Sequence, residues 1–370
     1  MTDSRLPVTL LTGFLGAGKS TLLNKILSQT GKEKIAVIVN EFGEVGLDHD
    51  LIEATDEEVV LLSSGCLCCS MRDDLSKTLA DLIERRTRGT LEFDRVVIET
   101  TGLADPAPIR QTLLRDYYLA RATRMDGVVT MVDASNGKAT LDAQFEAVSQ
   151  AATADLLLIS KTDIATPKAT SALRRRLEKL NPTAEILNVA EAVEDPKRLW
   201  GLSALRRNAD ATQALNWLTR APSEAAPSDP LVNLSGFAPT KLVRKFSPHD
   251  ARIESASITL ETPLEDSVFD HWLDTLVALK GPDLLRVKGI VFLKGLKTPF
   301  VFHGVQHIFD RPEPLNNWPD GDTTSRIVVI ARDMTNPELQ RSLDMLRATA
   351  APKQKEVFPG WKDLEARSQS

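Results

Sequence analysis

The residues GFLGAGKS, from Gly13 to Ser20, have the types and spacing of a loop that binds phosphate groups. Its glycines let successive backbone N–H groups point at one phosphate, and Lys19 can reach the β- and γ-phosphates. The Ser20 hydroxyl can occupy a coordination position of Mg²⁺. A chance glycine-rich turn is the alternative, but the flanking runs VTLL and TLLNKIL supply the strand and the helix that the loop requires. The candidate nucleotide-contacting residues here are Gly13, Gly16, Ala17, Gly18, Lys19, Ser20 and Thr21.

A second set of polar residues follows an apolar run in RVVIETTG. Glu99 leaves the predicted strand at its carboxyl end, where ligands bind in open α/β sheets, and Gly102 offers an unobstructed backbone N–H to a γ-phosphate. A strand that simply ends in polar residues is the other interpretation, which the phosphate loop disfavours. We therefore expect Lys19, Glu99 and Gly102 to form the catalytic group, with Glu99 supporting Mg²⁺.

The motif SKTD, which follows the apolar run DLLLI, indicates which nucleobase the bound nucleotide carries. Asp163 can accept hydrogen bonds from both N1–H and N2–H of guanine, whereas adenine has no such pair of donors. The stem of Lys161 can lie against the purine. Ser160 stands where such elements more commonly carry asparagine, whose side chain tethers this loop. The sequence thus predicts GTP with Mg²⁺.

All three cysteines of the chain lie in SSGCLCCS, as Cys66, Cys68 and Cys69. Three thiols at this spacing can supply soft ligands to one ion, but a four-ligand site needs a further group. Zinc is the best chemical fit, with cobalt(II) and copper(I) also open. Buried apolar cysteines or a redox pair are the alternatives. The nearest candidates for the fourth ligand are Glu41, Glu44, Asp48 and His49.

The elements that must position these residues alternate short apolar runs with helical patterns, which predicts a parallel sheet covered by helices on both faces. One predicted helix covers residues 73–86, and a second carries Leu141, Phe145 and Val148 on one apolar face. The fold class is therefore an α/β P-loop domain followed by a smaller α/β domain. The expected strands lie near residues 8–11, 35–39, 95–98, 128–132 and 156–159.

A proline- and serine-rich stretch divides the chain into a P-loop domain at 1–220, a linker at 221–238, a second domain at 239–350 and a frayed tail at 351–370. The second domain should contain strands near 253–260, 285–293, 299–309 and 327–331, with helices near 264–279 and 337–346. If 299–309 is one strand, His303 and His307 lie on one face roughly 13 Å apart, which makes a shared metal ion improbable. We assign them structural or interfacial roles.

Composition and charge argue against nucleic acid and membranes as partners of this chain. A formal net charge of −6 gives no basic field that would attract nucleic acid. The sequence has no run of about 18 or more apolar residues, so it predicts no membrane span. The N-terminal apolar stretch is interrupted by glycines and reads as a buried strand, not as a signal peptide. Closely spaced cysteines cannot form a disulfide framework, so we expect reduced thiols and a cytoplasmic protein.

The sequence resembles the CobW-type GTPases, a family of metal chaperones related to the nickel-insertion GTPases of urease and hydrogenase. The resemblance rests on five motifs, which occur in the order GFLGAGKST, NEFGEVGLD, GCLCC, ETTGLADP and SKTD. The segment LLRVKGIV resembles the C-terminal domain of that family. The resemblance implies that Cys66, Cys68 and Cys69 hold the transported metal, with Glu41 as a neighbouring ligand. Many relatives carry a histidine-rich tract; this chain has five histidines, none adjacent, and such a tract is missing.

Our main hypothesis is a GTPase that hydrolyses GTP slowly alone, is stimulated by metal or partner, and delivers zinc to a metal-requiring client protein or cofactor pathway in a nucleotide-dependent way. A metal-sensing adaptor that docks a client through the second domain is the alternative. A P-loop kinase is a weaker one, because no residues point to an acceptor site. The sequence leaves open whether the chain forms a homo-oligomer.

Overall fold

The computed structural model describes residues 3–29, 34–40, 71–203, 214–215, 218, 252–315, 318–319 and 321–348. The cysteine motif lies outside these residues, as do Glu41, Glu44, Asp48 and His49. The predicted linker and tail also lie outside them.

The first sheet contains six parallel strands, and each expected strand of the first domain is present. They are β1 (Leu6–Gly13), β2 (Ile35–Asn40), β3 (Arg95–Thr100), β4 (Thr123–Asp133), β5 (Leu156–Ser160) and β6 (Glu185–Asn188). The order across the sheet is β2-β3-β1-β4-β5-β6. Because β3 lies directly beside β1 and parallel to it, the carboxyl ends of both strands lie at the same edge of the sheet.

Helices connect these strands. They are α1 (Lys19–Leu27), α2 (Met71–Thr87), α3 (Ala107–Arg115), α4 (Tyr117–Ala122), α5 (Gly137–Ala143), α6 (Phe145–Thr153), α7 (Pro167–Leu180) and α8 (Val189–Glu194). The single helix predicted through Leu141, Phe145 and Val148 is wrong. Gln144 has an extended backbone and its N–H closes the last turn of α5, so the chain changes direction before α6.

Local sequence explains these elements. Every residue of β5, LLLIS, is buried, as expected for a central strand covered by helices on both faces. Helix α7 begins where the Thr166 side chain accepts a hydrogen bond from Ala169 N, with Pro167 in its first turn. Its Leu173, Leu177 and Leu180 are buried, one helical turn apart.

The second sheet belongs to the second domain and is antiparallel. Its strands are β7 (Ile253–Leu260), β8 (Leu284–Val291), β9 (Phe300–Val305), β10 (Ile308–Phe309), β11 (Glu313–Pro314) and β12 (Ser325–Arg332). The order is β10-β9-β8-β12-β7, with β11 paired to β9. Two helices, α9 (Asp266–Lys280) and α10 (Asn336–Asp344), accompany the sheet.

The single strand predicted for residues 299–309 is wrong. The chain turns at Gln306, which has φ +56°, and returns as β10 antiparallel to β9. His303 is buried in β9, whereas His307 is exposed at the turn. Periodicity alone did not reveal this turn, since no glycine or proline marks it.

The two faces of the second sheet have different partners. One face packs on α9 and α10 around Phe269, Trp272 and Phe302, with the rings of Phe269 and Phe302 edge to face at 5.2 Å between centroids. Ile330 on the other face joins the apolar cluster that includes Leu177 of α7. The second sheet therefore lies against helices of the first domain.

No helix in the described ranges is long and apolar enough to cross a membrane.

Helix α9 offers a matched test of this packing. Leu276 is 3% exposed in the core, whereas Leu279, one turn along, is 73% exposed. We expect Leu276→Ala to destabilise the second domain by about 2–5 kcal/mol, because it removes buried methyl groups and leaves a cavity. Leu279→Ala should change stability by about 0.5 kcal/mol or less. Thermal unfolding of both variants measures the difference, and equal melting temperatures would contradict the assigned helix face.

Candidate functional site

The loop between β1 and α1 curls tightly at the carboxyl edge of the sheet. Gly13 passes so close to β4 that a Cβ atom there would lie 2.4 Å from Met131 O, which explains the glycine. Ala17 N donates to Phe14 O at 3.1 Å and closes the turn. Lys19 begins α1, and its Nζ donates to Gly13 O at 2.9 Å, so the ammonium group lies folded over the loop. The loop thus presents an ammonium group and a helix N-terminus at one point.

Glu99 of β3 and Ser20 of α1 meet at the carboxyl edge of the sheet. Glu99 lies opposite Leu11 in the parallel pairing of β3 with β1. Its Oε1 accepts a hydrogen bond from Ser20 Oγ at 3.0 Å, and its side chain is buried. A hydroxyl and a carboxylate facing each other are the hard oxygen ligands that Mg²⁺ prefers, so the residues present fit this ion.

The segment that follows β3 is held against the phosphate loop. A Cβ atom at Gly102 would lie 2.4 Å from Leu15 N, so only glycine allows this approach. From the other side, Gln150 of α6 donates its Nε2 to Gly102 O at 3.3 Å and to Ala104 O at 3.0 Å. Gln150 is 1% exposed. The Gly102 segment is therefore fixed between the loop and α6.

The SKTD loop is tied to the phosphate loop. Ser160 Oγ donates to Ala17 O at 2.7 Å, so serine makes a tether between the two loops in the place of the commoner asparagine. Lys161 has φ +55°, and its Nζ forms an ion pair with Asp133 at 2.9 Å. Asp163 is exposed, so its carboxylate is accessible to the nucleobase of a nucleotide.

Asp133 is a polar residue of this edge that the sequence reasoning missed. Burial alone would raise its pKa, but hydrogen bonds from Ser135, Lys161 and Asn136 outweigh burial and hold the pKa well below its ordinary value. The carboxylate thus stays ionised and fixes Lys161. Because Asp133 ends β4 just as Glu99 ends β3, the same strand-end argument could have identified it. No comparable signal marks Gln150, which lies inside an ordinary amphipathic helix.

The structure thus brings Lys19, Ser20, Glu99, Gly102 and the SKTD loop to one edge of the first sheet. In the described ranges, no group of three or more His, Cys, Asp or Glu side chains is placed to hold a metal ion. In particular, His303 lies in the second domain beside Arg110 and takes no part in this edge. The assignment of individual roles at the site stays a prediction.

The parallel sheet, the loop between β1 and α1 and the two flanking motifs define the class: a P-loop nucleoside triphosphatase with an added antiparallel-sheet domain. The family model described as CobW/HypB/UreG, nucleotide-binding domain, matches residues 7–188. The model for the cobalamin synthesis protein CobW C-terminal domain matches residues 253–347. The chain belongs to the CobW/HypB/UreG family of GTPases, which confirms the resemblance found in the sequence.

Relatives are similar over nearly the whole chain. The zinc chaperone YjiA of Escherichia coli is 33% identical, covering 92% of this chain and 99% of the relative. The zinc-regulated GTPase metalloprotein activator 1 of Schizosaccharomyces pombe is 31% identical over 89% of this chain and 83% of its own. A crystal structure of Zn(II)-bound YjiA GTPase from E. coli has a TM-score of 0.66 at 28% identity, covering 93% of this chain and 99% of that one.

The serine tether can be tested directly. Ser160→Ala removes the hydrogen bond to Ala17 O, and the loss of one such bond should weaken GDP and GTP binding by about 2- to 10-fold. Ser160→Asn restores a side-chain donor and serves as the control. Nucleotide affinity is measured with a fluorescent guanine nucleotide. An unchanged affinity in Ser160→Ala would show that the tether does not support the site.

Proposed function

We propose that this protein is a GTP-dependent metal chaperone that carries zinc on Cys66, Cys68 and Cys69 and delivers it to a client protein or cofactor pathway. Glu41 is the proposed neighbouring ligand. Cobalt(II) is the next candidate by ligand chemistry. The names of the relatives, zinc chaperone and zinc-regulated GTPase metalloprotein activator, support zinc as the transported ion.

The observation that carries this proposal is where the cysteine-bearing segment leaves and rejoins the described chain. Glu41 follows Asn40, the last residue of β2, which pairs with Thr100 at the end of β3. Helix α2 begins at Met71, two residues after Cys69, and leads into β3. A helix that connects parallel strands starts at the edge where the strands end. Both ends of the segment therefore adjoin the edge that carries Glu99 and Gly102.

The geometry of this edge supports the following proposed roles. Backbone N–H groups of residues 13–21 and the Lys19 ammonium bind the phosphates, and Asp163 accepts from the two guanine donors. Ser20 and Glu99 would hold Mg²⁺, which neutralises phosphate charge when bound. The Gly102 N–H contacts the γ-phosphate, so loss of that phosphate on hydrolysis removes one of the contacts that hold this segment, and the hydrogen bonds from Gln150 are left. We propose that hydrolysis is slow until metal or a client is bound.

Base selection gives the first test. Asp163→Asn replaces a carboxylate by an amide, which has one acceptor and two donors. It cannot accept from both guanine donors, so GTP affinity should fall by about 10-fold or more, as for the loss of a hydrogen bond to a charged group. Xanthosine triphosphate carries a carbonyl where guanine has its amino group. It should therefore bind the variant more tightly than it binds the original chain. ATP is the control. Unchanged GTP affinity would contradict the role of Asp163.

The coupling of metal and nucleotide gives the second test. Zinc affinity, measured by competition with a chromogenic chelator, should differ by about 5- to 150-fold between chain loaded with a GTP analogue and chain loaded with GDP. In the variant Cys66→Ser, Cys68→Ser, Cys69→Ser, zinc should be lost in both states while guanine nucleotides still bind. Equal zinc affinities in the two nucleotide states would refute the switch.

A further inference from the structure

Six ionisable side chains are buried together where the second sheet meets the first domain. Each has a relative exposure of 7% or less. Burying so many charged groups is costly unless they are paired, so their arrangement calls for a reason. They are Arg110 and Asp155 from the first domain and Arg286, Lys288, His303 and Asp310 from the second.

One part of this cluster holds Arg110. Its Nη2 donates to Asp310 Oδ2 at 2.6 Å, and its Nη1 lies 3.4 Å from His303 Nε2. His303 Nδ1 lies 3.3 Å from Asp310 Oδ2. Arg110 Nη2 also lies 3.4 Å from His303 Nδ1, so the ring lies against both Arg110 and Asp310, and a neutral imidazole has one nitrogen that can accept from the guanidinium. Burial and the Arg110 charge lower the pKa of His303 well below its ordinary value, which agrees with a neutral ring.

The other part of the cluster is centred on Asp155, which precedes β5. Arg286 donates to Asp155 and to Thr153 O, and Lys288 Nζ lies 3.2 Å from Asp155 Oδ1. Burial and the Arg286 charge lower the pKa of Lys288 to about 7. Asp155 is also bonded to Val128 N of β4. Through Asp155 and Thr153, this part joins the second domain to β4 and to the end of α6.

Arg110 belongs to α3, which starts five residues after Gly102. The intervening segment is short and well held, since Asp105 Oδ1 accepts from Ala107 N and Gln150 binds the carbonyls of Gly102 and Ala104. A shift of the Gly102 segment would therefore shift α3. Such a shift would pull Arg110 away from Asp310, leaving buried charges unpaired, unless the second domain moved with it.

We propose that Asp310 and His303 position the Gly102 segment by holding Arg110, so that the second domain takes part in discriminating GTP from GDP. Arg110 acts through α3 and is a positioning residue. The inference rests on the proposed contact between Gly102 and the γ-phosphate. Coupling is reciprocal, so a client that moves the second domain would alter the relative affinity for the two nucleotides.

The test replaces the polar link by apolar groups in the full-length chain. The double variant Arg110→Met, Asp310→Leu removes both partners, which preserves folding better than removal of one. We expect affinity for a non-hydrolysable GTP analogue to fall by about 5-fold or more while GDP affinity stays within about 2-fold, a shift of the size that coupled sites show. The control, Lys288→Met, removes a buried charge of the same cluster that forms an ion pair with Asp155, and it should change the ratio of affinities less than the double variant does.

Hydrogen exchange gives a second measurement. In the original chain, exchange at the amides of 303–310 should differ between the GTP analogue and GDP, and the double variant should abolish this difference. If the double variant does not fold, Asp310→Asn replaces it with the same criteria. An unchanged affinity ratio, or equal changes in the double variant and in Lys288→Met, would overturn the proposal.

The variant Gly102→Ala separates this failure from a failure of the proposed function. A methyl group there would lie against Leu15 N, so the segment cannot keep its place beside the loop. If Gly102→Ala leaves the ratio of GTP to GDP affinity unchanged, the γ-phosphate contact is wrong. If Gly102→Ala lowers the ratio while the double variant does not, the contact stands and the link through Arg110 is refuted.

Discussion

The adjacency of β3 and β1 is the constraint on which the rest of this structure depends. Parallel pairing puts Glu99 opposite Leu11, so the carboxylate reaches Ser20 at the start of α1. The same pairing carries the chain after β3 so close to the phosphate loop that Gly102 has no room for a side chain. The phosphate loop and the Gly102 segment are thereby in direct contact.

Buried charge connects this edge to the second domain. Arg110 and Asp155 each face ionisable partners from the second sheet in surroundings that exclude water. Pairs of this kind add little net stability compared with apolar packing, but separating them is costly. They favour one relative position of the two sheets.

Particular residues show how far sequence reasoning reached. The strands at the candidate site were expected correctly, because long apolar runs followed by glycine or polar residues have one common interpretation in a parallel sheet. The turn at Gln306 and the break at Gln144 were missed, since neither carries a turn-forming residue. The tether from Ser160 was not foreseen either. A hydroxyl shorter than an asparagine amide reaches Ala17 O only because the two loops lie close together.

The sequence by itself determined the family, the fold class and the position of Glu99 at the end of its strand, because motif spacing and strand-end position are local properties of the chain. Only the tertiary structure decided that Asp133 orients Lys161, that Gln150 holds the Gly102 segment and that Arg110 meets Asp310 and His303. Those contacts join residues from separate elements, up to 200 positions apart. Which of many buried charges will pair depends on the packing of whole sheets and helices, and no local pattern encodes it.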